Sequence, residues 1–315
     1  MGSYIIRRLV SLIPIWLVVS FLTFSIMYLV PGDPVVIIIG PEASPEARQR
    51  FIERLHLDEP FLTRYVSWLS GIVLRGDLGE SIFLDRPVTQ GLLERAPVTV
   101  SLGIGAILFA TMLGIPTGIL AALRPNSVWD SNIMIISMIG LSIPEFLLGL
   151  FLILTFGVYL GWFPIGGYVN LLENPGESLR HLLMPCFTLG FIWAALVARM
   201  TRANMIEILN NDYIRTARSK GLKERVVVWK HALRVAMIPV VTVIGFTAIL
   251  IVAGAFITEI VFTLPGMGNL AVSSIKHRDY PMVQGIMLVI STGVLLINLL
   301  IDLSYTLLDP RIRYQ

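Results

Sequence analysis

The sequence predicts an all-α polytopic membrane protein with six transmembrane helices. Hydrophobic residues make up 55% of its 315 residues, the mean hydropathy is +0.78, and only 14% of the residues are charged. Soluble domains contain about 45–50% apolar and about 25% charged residues, so a water-soluble chain of this length could not bury so much apolar surface. The apolar residues also form long uninterrupted stretches, and the Lys and Arg residues are segregated between them. A lipid bilayer is therefore the solvent in which we expect this chain to fold.

Each predicted span is a stretch long enough, or nearly so, for a helix to cross about 30 Å of hydrocarbon, which takes roughly 20 residues. The six stretches cover residues 9–30, 97–123, 133–160, 182–198, 235–258 and 282–301. The first follows two arginines and resembles a signal peptide. However, its 22 uncharged residues exceed the ~7–15 of a signal core, and no small-x-small cleavage site follows. We expect a retained membrane helix.

Proline and glycine residues inside the spans predict how the helices bend and pack. Five prolines interrupt the predicted spans, namely Pro14, Pro116, Pro144, Pro185 and Pro239. A helix bundle tolerates such breaks because neighbouring helices can satisfy the freed carbonyl groups. Gly114 and Gly118 form a small-xxx-small pair that is suited to close contact between helices.

The distribution of Lys and Arg predicts the orientation of the spans. With both termini in the cytoplasm, fourteen basic residues lie inside, nine of them between residues 199 and 234. The short outside loops hold only Arg180, Lys276 and Arg278. Short cytoplasmic loops carry an excess of Lys and Arg, whereas long segments count little in this rule. The sequence therefore predicts an N-in, C-in topology with the loop at 199–234 in the cytoplasm.

The long segment between the first two spans, residues 31–96, is predicted to fold as extracytoplasmic helices. Ser44 is suited to cap a helix with Pro45 at its first position, and residues after Pro60 show apolar side chains at helical spacing. We expect two amphipathic helices over the outer mouth of the bundle or along the outer interface. The predicted division is then 1–30 for the N-terminus and first span, 31–96 for this segment, and 97–315 for the membrane core.

The sequence contains no set of residues that would make this chain an enzyme. It has no Gly-rich phosphate-binding loop of the G-x-x-x-x-G-K-[ST] form and no G-x-S-x-G elbow. Its four histidines are scattered, and its single cysteine excludes an internal disulfide and a cysteine-rich metal site. We expect no catalytic residues, no nucleotide site, no metal and no cofactor.

Glu145 is the charged residue that the prediction places inside a span. A charge at the centre of the bilayer costs roughly 2.5–3.5 kcal/mol on insertion scales, so the side chain should face protein or water. It is either a contact in a translocation path or a group bonded locally beside the break at Pro144. Glu259 and Asp302 fall at span ends, and their position at the membrane boundary is enough to explain them.

Membrane topology explains the positive charge of the basic cytoplasmic loop but not the spacing of its apolar residues. Apolar or small residues recur every three or four positions and predict one helix with a buried face, formed by Ile206, Leu209, Tyr213 and Ala217. Arg215 and Arg218 lie off that face. Gly221 ends the helix, and a second helix is predicted over residues 223–234. A short helix, a glycine turn and another helix would suit a groove on a second protein.

Here the sequence resembles a known family: the inner-membrane permease subunits of ATP-binding-cassette importers, in the peptide/nickel branch. The signature stretches are "PGDP" at 31–34, "RGDLGESIFLDRPV" at 75–88, "GWFPIGGY" at 161–168, "HLLMPCFTLG" at 181–190, "DYIRTARSKGL" at 212–222, "FTLPGMGNL" at 262–270, "RDYPMVQG" at 278–285 and "LLDPRIRY" at 307–314. They occur in this order over nearly the whole chain.

The resemblance implies that residues 212–222 are the branch's version of the EAA loop, which docks on the ATPase. Ala217 and Gly221 match the A-x-x-x-G core, while Arg215 and Thr216 replace the Glu-Ala of the wider consensus, a departure that is usual for this branch. Pro239 also lies farther from Gly221 than the wider consensus has it. The implied ATPase-coupling residues are Asp212, Tyr213, Arg215, Ala217, Arg218 and Gly221.

The resemblance also implies a function and a set of partners. The chain would be a multi-pass protein of the bacterial inner membrane that pairs with a second, related permease to enclose a path for di- or oligopeptides. Two separate ATPase subunits would bind the cytoplasmic face, and a substrate-binding protein would deliver cargo outside; no nucleic acid is implied. The alternatives are the same role for nickel or another small solute, an ion-coupled secondary transporter or channel, and an intramembrane enzyme.

Overall fold

The computed structural model describes residues 2–29, 35, 44–54 and 58–308. Over these residues the chain is predominantly helical, which confirms the predicted all-α membrane fold. Among the described residues, five helices are long and apolar enough to cross a membrane, and a bent helix pair raises the number to six if it forms one span. The motif at 31–34, most of the terminal motif at 307–314, His56, Arg311 and Arg313 lie outside the described residues.

The elements follow one another with short connections. In chain order the helices are α1 (Gly2–Leu29), α2 (Pro45–Arg54), α3 (Phe61–Arg75), α4 (Val88–Leu123), α5 (Val128–Ser142), α6 (Glu145–Tyr159), α7 (Pro175–Leu209), α8 (Asp212–Ser219), α9 (Glu224–Val261), α10 (Met267–Lys276) and α11 (Tyr280–Leu308). Between α3 and α4, β1 (Glu80–Ser81) and β2 (Arg86–Pro87) form a two-residue antiparallel ladder. Part of α6, Ile153–Tyr159, and part of α9, Val227–Ala232, are π-helical.

The chain divides into two compact units. Unit 1 contains residues 1–97 and 267–295, and unit 2 contains residues 98–266 and 296–315. α4 and α11 each contribute to both units, since the division falls inside these two helices.

The helices of the segment between the first two spans are present as predicted. Pro45 is the first residue of α2, and α3 follows Pro60 directly. α3 ends at Arg75, and the residue that caps it, Gly76, adopts the left-handed conformation (φ 65°) that glycine accepts without steric cost. α4 begins at Val88, nine residues before the second predicted span. The prediction followed the apolar stretch alone, and residues 88–96 include polar side chains such as Gln90 and Glu94.

The third predicted span, at 133–160, is broken in the structure. α5 and α6 meet at a bend of 102°, and the two residues between them, Ile143 and Pro144, are extended. Proline lacks the N–H that would continue the helix, and its ring forces the preceding residue out of the helical region. The predicted break at Pro144 is therefore present, and the two helices together still qualify as one span.

A buried carboxylate connects two loops within unit 1. Asp279 is inaccessible to solvent, and it accepts hydrogen bonds from the Ser81 hydroxyl and from the backbone N–H groups of Ile82 (3.1 Å) and Phe83 (3.3 Å). The imidazole of His277 stacks on the ring of Phe83 with a centroid distance of 3.7 Å. Asp279 thus joins the loop after β1 to the connection between α10 and α11. These loops belong to two of the motifs that the sequence singled out.

We expect Asp279→Asn to lower the free energy of unfolding by about 1–2 kcal/mol. The carboxylate receives donors on both oxygens, and an amide can accept on only one of them. Thermal unfolding of the detergent-solubilised protein measures the effect. Asp85→Asn is the control, because Asp85 is exposed in the left-handed region (φ 49°), where asparagine is equally at home. Equal unfolding temperatures for the two variants would contradict the assignment.

Unit 2 contains a close helix contact that the small residues predict. A Cβ atom on Gly114 would come within 2.8 Å of the Ala194 carbonyl oxygen, and one on Gly118 within 2.6 Å of the Ala198 carbonyl oxygen. α4 therefore packs against α7 at backbone distance, which confirms the expectation for the small-xxx-small pair. A buried apolar cluster of unit 2 includes Leu102 of α4, Leu189 of α7, and Ile251 and Phe262.

Candidate functional site

The basic loop folds around α8, a short helix separated from α7 by a turn. α7 ends at Leu209, and Asn211 caps α8 in an extended conformation (φ −72°, ψ 148°). The Asn211 carbonyl accepts the N–H groups of Ile214 (3.0 Å) and Arg215 (3.2 Å). The single helix predicted through 206–217 is therefore wrong. Asn-Asn-Asp offers the side chains that favour helix caps over helix interiors, and this local signal was available in the sequence.

The buried face of α8 differs from the predicted face by one residue. Ile214 and Ala217 are buried and pack with Met205 of α7 and with Val227 and Val228 of α9. Tyr213, which a continuous helix would have turned inward, is 43% exposed. The break at residues 210–211 changes the helical register, because each residue advances the helix by about 100°. Sequence reasoning consequently missed Ile214 as the anchor of this helix.

The opposite face of α8 is polar and exposed. Asp212, Tyr213, Arg215 and Arg218 all lie on it, while Ala217 lies underneath. Arg218 forms an ion pair with Glu224 at 2.7 Å, and this hydrogen bond raises the pKa of the Arg218 guanidinium. Partial burial raises the pKa of the Tyr213 phenol. The result is a charged surface with one large aromatic side chain, anchored from below by Ile214.

Gly221 ends this site as the sequence predicts. Its φ is +77°, and its N–H donates to the Arg218 carbonyl at 2.9 Å. No described atom lies within 4 Å of the position that a Cβ would occupy, so the backbone conformation rather than lack of space calls for glycine. The predicted second helix, at 223–234, is present as the first turns of α9 and continues without a break to Val261.

An ion pair that sequence reasoning missed joins α5 to α7. Arg202 donates to both oxygens of Asp130, at 2.5 Å and 2.7 Å, and the N–H of Asn126 donates to the same carboxylate at 2.9 Å. Asp130 is buried. The local sequence indicates only that Ser127 can cap α5, where its side chain accepts a hydrogen bond from the Asp130 N–H. Nothing in the sequence links Asp130 to a partner 72 positions away.

Glu145 lies at the first position of α6, directly after the bend. Its carboxylate accepts a hydrogen bond from the Thr258 hydroxyl of α9. A Cβ on Gly254 would lie 2.9 Å from the same carboxylate, so the glycine allows the carboxylate to approach α9. The structure therefore gives Glu145 a neutral partner and places it between two helices of unit 2. It does not bring Glu145 together with the α8 residues.

Glu259 needs more than the membrane boundary to explain it. The residue is fully buried, and the Thr99 hydroxyl of α4 donates to its carboxylate at 2.5 Å. A side chain on Gly266 would clash with this carboxylate, because a Cβ there would come within 2.2 Å of it. The expectation that Glu259 simply marks a span end is wrong. Within the described residues, no three His, Cys, Asp or Glu side chains are close enough together to hold a metal ion.

Comparison with known proteins gives consistent matches over the whole chain. A family described as the binding-protein-dependent transport system inner membrane component matches residues 114–314, and the N-terminal component of the same system matches residues 1–103. The oligopeptide transport system permease protein AppB of Bacillus subtilis is 42% identical over 317 residues. The di/tripeptide transport system permease protein DppB of Pseudomonas aeruginosa is 40% identical over 336 residues. Both alignments cover all of this chain and all of the relative.

Solved structures match part of the chain at the level of the fold. A chain of the MetNI methionine ABC transporter in an inward-facing conformation aligns with a TM-score of 0.57 and 20% sequence identity. The alignment covers 70% of this chain and 97% of that chain. The similarity supports a shared arrangement of helices and carries no information about cargo at this level of identity.

Proposed function

Because this chain belongs to the family of binding-protein-dependent transport system inner membrane components, we propose that it carries peptides through the inner membrane. It is a permease subunit of an ATP-binding-cassette importer, a membrane component that leaves ATP hydrolysis to other subunits. The observation that supports peptides as cargo is that relatives about 40% identical over the full length are named for di-, tri- and oligopeptide transport.

We propose that the exposed face of α8 is the docking surface for the ATPase. The complex would contain a second, related permease, two ATPase subunits and an extracytoplasmic binding protein. Tyr213 supplies an aromatic anchor and Arg215 a charge, the residue types that dominate binding energy in protein interfaces. Ile214 then transmits a displacement of α8 to α7 and α9, because it is packed against both of them. ATP binding would shift the bundle between two conformations to the extent that the ATPases bind one of them better.

Glu145 is proposed as a contact in the translocation path. It lies at a break between two helices, where the backbone is irregular, and its carboxylate has a hydroxyl as partner rather than a cation. A peptide with a free N-terminus carries an ammonium group that such a carboxylate attracts. Charged residues at membrane depth commonly mark substrate pathways.

We expect Glu145→Gln to slow the uptake of peptides with a free N-terminus more than the uptake of their N-acetylated forms. The amide oxygen still accepts the Thr258 hydroxyl, so the unfolding temperature should change little. Uptake rates at several peptide concentrations measure the effect, which should appear mainly in KM. Thr258→Val is the matched control, because it removes the hydrogen bond but keeps the charge. An equal loss for both peptide forms would argue against a role for Glu145 in binding cargo.

Reconstitution tests the function as a whole. The permease is purified with its co-expressed partner subunits, placed in liposomes and supplied with the binding protein and a labelled dipeptide. Uptake that requires both the binding protein and ATP supports the proposal. Uptake by this chain alone under a proton or sodium gradient would indicate an ion-coupled transporter, and ATP-driven uptake of nickel without peptide uptake would change the assigned cargo.

A further inference from the structure

Helix α3 of unit 1 has apolar side chains on its exposed side as well as on the side that packs against the protein. An exposed apolar stripe runs along it at spacings of four, three and four residues, formed by Leu62, Val66, Leu69 and Val73. Leu62, Val66 and Val73 are 66%, 60% and 65% exposed, and Leu69 is partly buried. A helix on the surface of a soluble domain turns its apolar stripe toward the core. On α3 the stripe points away from it.

The other side of α3 combines aromatic and charged side chains. Arg64, Trp68, Gly71 and Arg75 follow one another at helical spacing and border a cavity of about 610 Å³, whose lining also includes Phe24, Leu78, Asp77, Glu80 and Gln284. Lipid offers polar groups no hydrogen bonds, so a helix in lipid is expected to turn its charged side chains toward such a cavity and its apolar stripe outward.

Helix α1 exposes apolar side chains along most of its length. One face of α1 is formed by positions 6, 10, 13, 17, 20 and 24, again at spacings of three and four. The first four side chains on this face are exposed and apolar, namely Ile6, Val10, Ile13 and Leu17. The last two, Ser20 and Phe24, are buried. α1 is one of the helices able to cross the membrane, so the exposed part of this face is suited to lipid.

α3 covers the end of that same face. The hydroxyl groups of Tyr65 and Ser20 are 2.9 Å apart, and the Tyr65 hydroxyl also donates to the Leu17 carbonyl at 3.3 Å. The ring of Phe24 packs on the ring of Trp68 with a centroid distance of 5.3 Å. α3 therefore packs on α1 next to apolar side chains that remain exposed, such as Val18 and Leu22, and the stripe of α3 adds to this exposed apolar surface.

The contact between α3 and α1 lies within the length of the apolar span of α1 and not at its end. Within the part of α1 whose side chains the structure describes, the span covers Ile6–Ser25, and the uncharged stretch continues in the sequence to Val30. Leu17 precedes Ser25 by eight residues, which corresponds to about 12 Å along the helix axis at 1.5 Å per residue. α3 has 15 residues and a length of about 22 Å, too short to cross about 30 Å of hydrocarbon. It can enter one half of the bilayer without spanning it.

We propose that α3 is embedded in the half of the bilayer where α1 ends, with its apolar stripe against the acyl chains. Under the predicted N-in orientation this is the outer leaflet. The side of α3 that carries Arg64 and Arg75 then borders the cavity, which gives these charged side chains a protein-lined space instead of lipid. The inference does not depend on the cargo. Of the two positions expected for this segment, over the outer mouth of the bundle or along the outer interface, it selects the membrane for α3 and identifies the stripe that contacts the acyl chains.

Fluorescence quenching on the two faces of α3 tests the proposal. Val66→Cys and Ser67→Cys are labelled with a small fluorophore in the full chain with its partner subunits, reconstituted in liposomes. Val66 belongs to the stripe, and Ser67 is an exposed residue on the cavity side, so the two form a matched pair. Cys186 is buried, and the parent chain without an added cysteine, treated with the same fluorophore, corrects for any reaction there. Quenchers are a nitroxide on the lipid acyl chain and iodide in the water.

We expect the acyl-chain nitroxide to quench the Val66 probe several-fold more strongly than the Ser67 probe, and iodide to show the reverse order. Leu62→Cys should behave like Val66→Cys, which guards against an unusual effect of one label. Quenching of the Val66 probe by iodide as strong as that of the Ser67 probe would overturn the proposal, since the stripe would then face water. Protection of the Val66 probe from both quenchers would also overturn it, because protein and not lipid would cover the stripe.

Discussion

Replacing Tyr213 by Asp is expected to abolish ATP-driven uptake while the protein remains folded and inserted in the membrane. Tyr213 is the large side chain on the exposed face of α8, and buried aromatic anchors contribute about 2–4 kcal/mol to protein interfaces, which corresponds to ~30- to 1,000-fold in affinity. A carboxylate in its place would also have to be desolvated on docking. Co-purification of the ATPase subunits and substrate-stimulated ATP turnover measure the loss.

The conservative change Tyr213→Phe is the control for this experiment. It retains the ring and removes only the hydroxyl, so we expect ATPase binding and uptake close to those of the parent. Unfolding temperatures should be similar for both variants, because the side chain is partly exposed and the anchor of the helix is Ile214. Normal coupling of ATP turnover to substrate in Tyr213→Asp would refute the assignment of α8 as the docking surface.

Replacing Asp130 by Ala is expected to lower the free energy of unfolding by about 3–5 kcal/mol, because it leaves the guanidinium of Arg202 without its paired charge in a partly buried site. The change also removes the acceptor for the N–H of Asn126. Chemical or thermal unfolding of the solubilised protein measures the difference. Transport should fall as well, since α7 carries Arg202 and leads directly into the turn before α8.

An exposed ion pair in the same unit provides the comparison. Arg180 and Glu177 are 3.2 Å apart, with both side chains about half exposed. Glu177→Gln should therefore cost at most about 1 kcal/mol. A double change, Asp130→Ala with Arg202→Met, should recover part of the stability, because it removes the unpaired charge. If Asp130→Ala were no more damaging than Glu177→Gln, the pair would not be a structural connection.

The sequence predicted membrane spans well where apolar length alone decides. The described part of the first span, 9–29, lies in α1, the fifth span lies in α9, and the glycine pair in α4 meets α7 at backbone distance. The break at Pro144 was also predicted, and the structure adds the size of the bend, 102°. The prediction failed at residues 210 and 211, where two asparagines separate α7 from α8. This signal is present in the sequence, but it was outweighed by the continuity of the surrounding helical pattern.

The candidate site was predicted in outline and corrected in detail. The glycine turn and the helical segments on either side of it lie where the sequence placed them, and Tyr213, Arg215 and Arg218 belong to one exposed face. Ile214 was missed, because the phase of a helix depends on its first residue and a two-residue turn moved that residue. The coupling role of these positions stays a prediction that the Tyr213 variants test.

Composition and periodicity by themselves determined that this chain must fold in a bilayer as a set of helices, since 55% hydrophobic residues in long stretches have no other stable solvent. Only the tertiary structure decided which polar groups inside those helices meet. Asp130 and Arg202, Glu145 and Thr258, and Glu259 and Thr99 are separated by 72, 113 and 160 positions. Their pairing depends on how whole helices pack, because a buried polar group finds a partner only where another helix presents one.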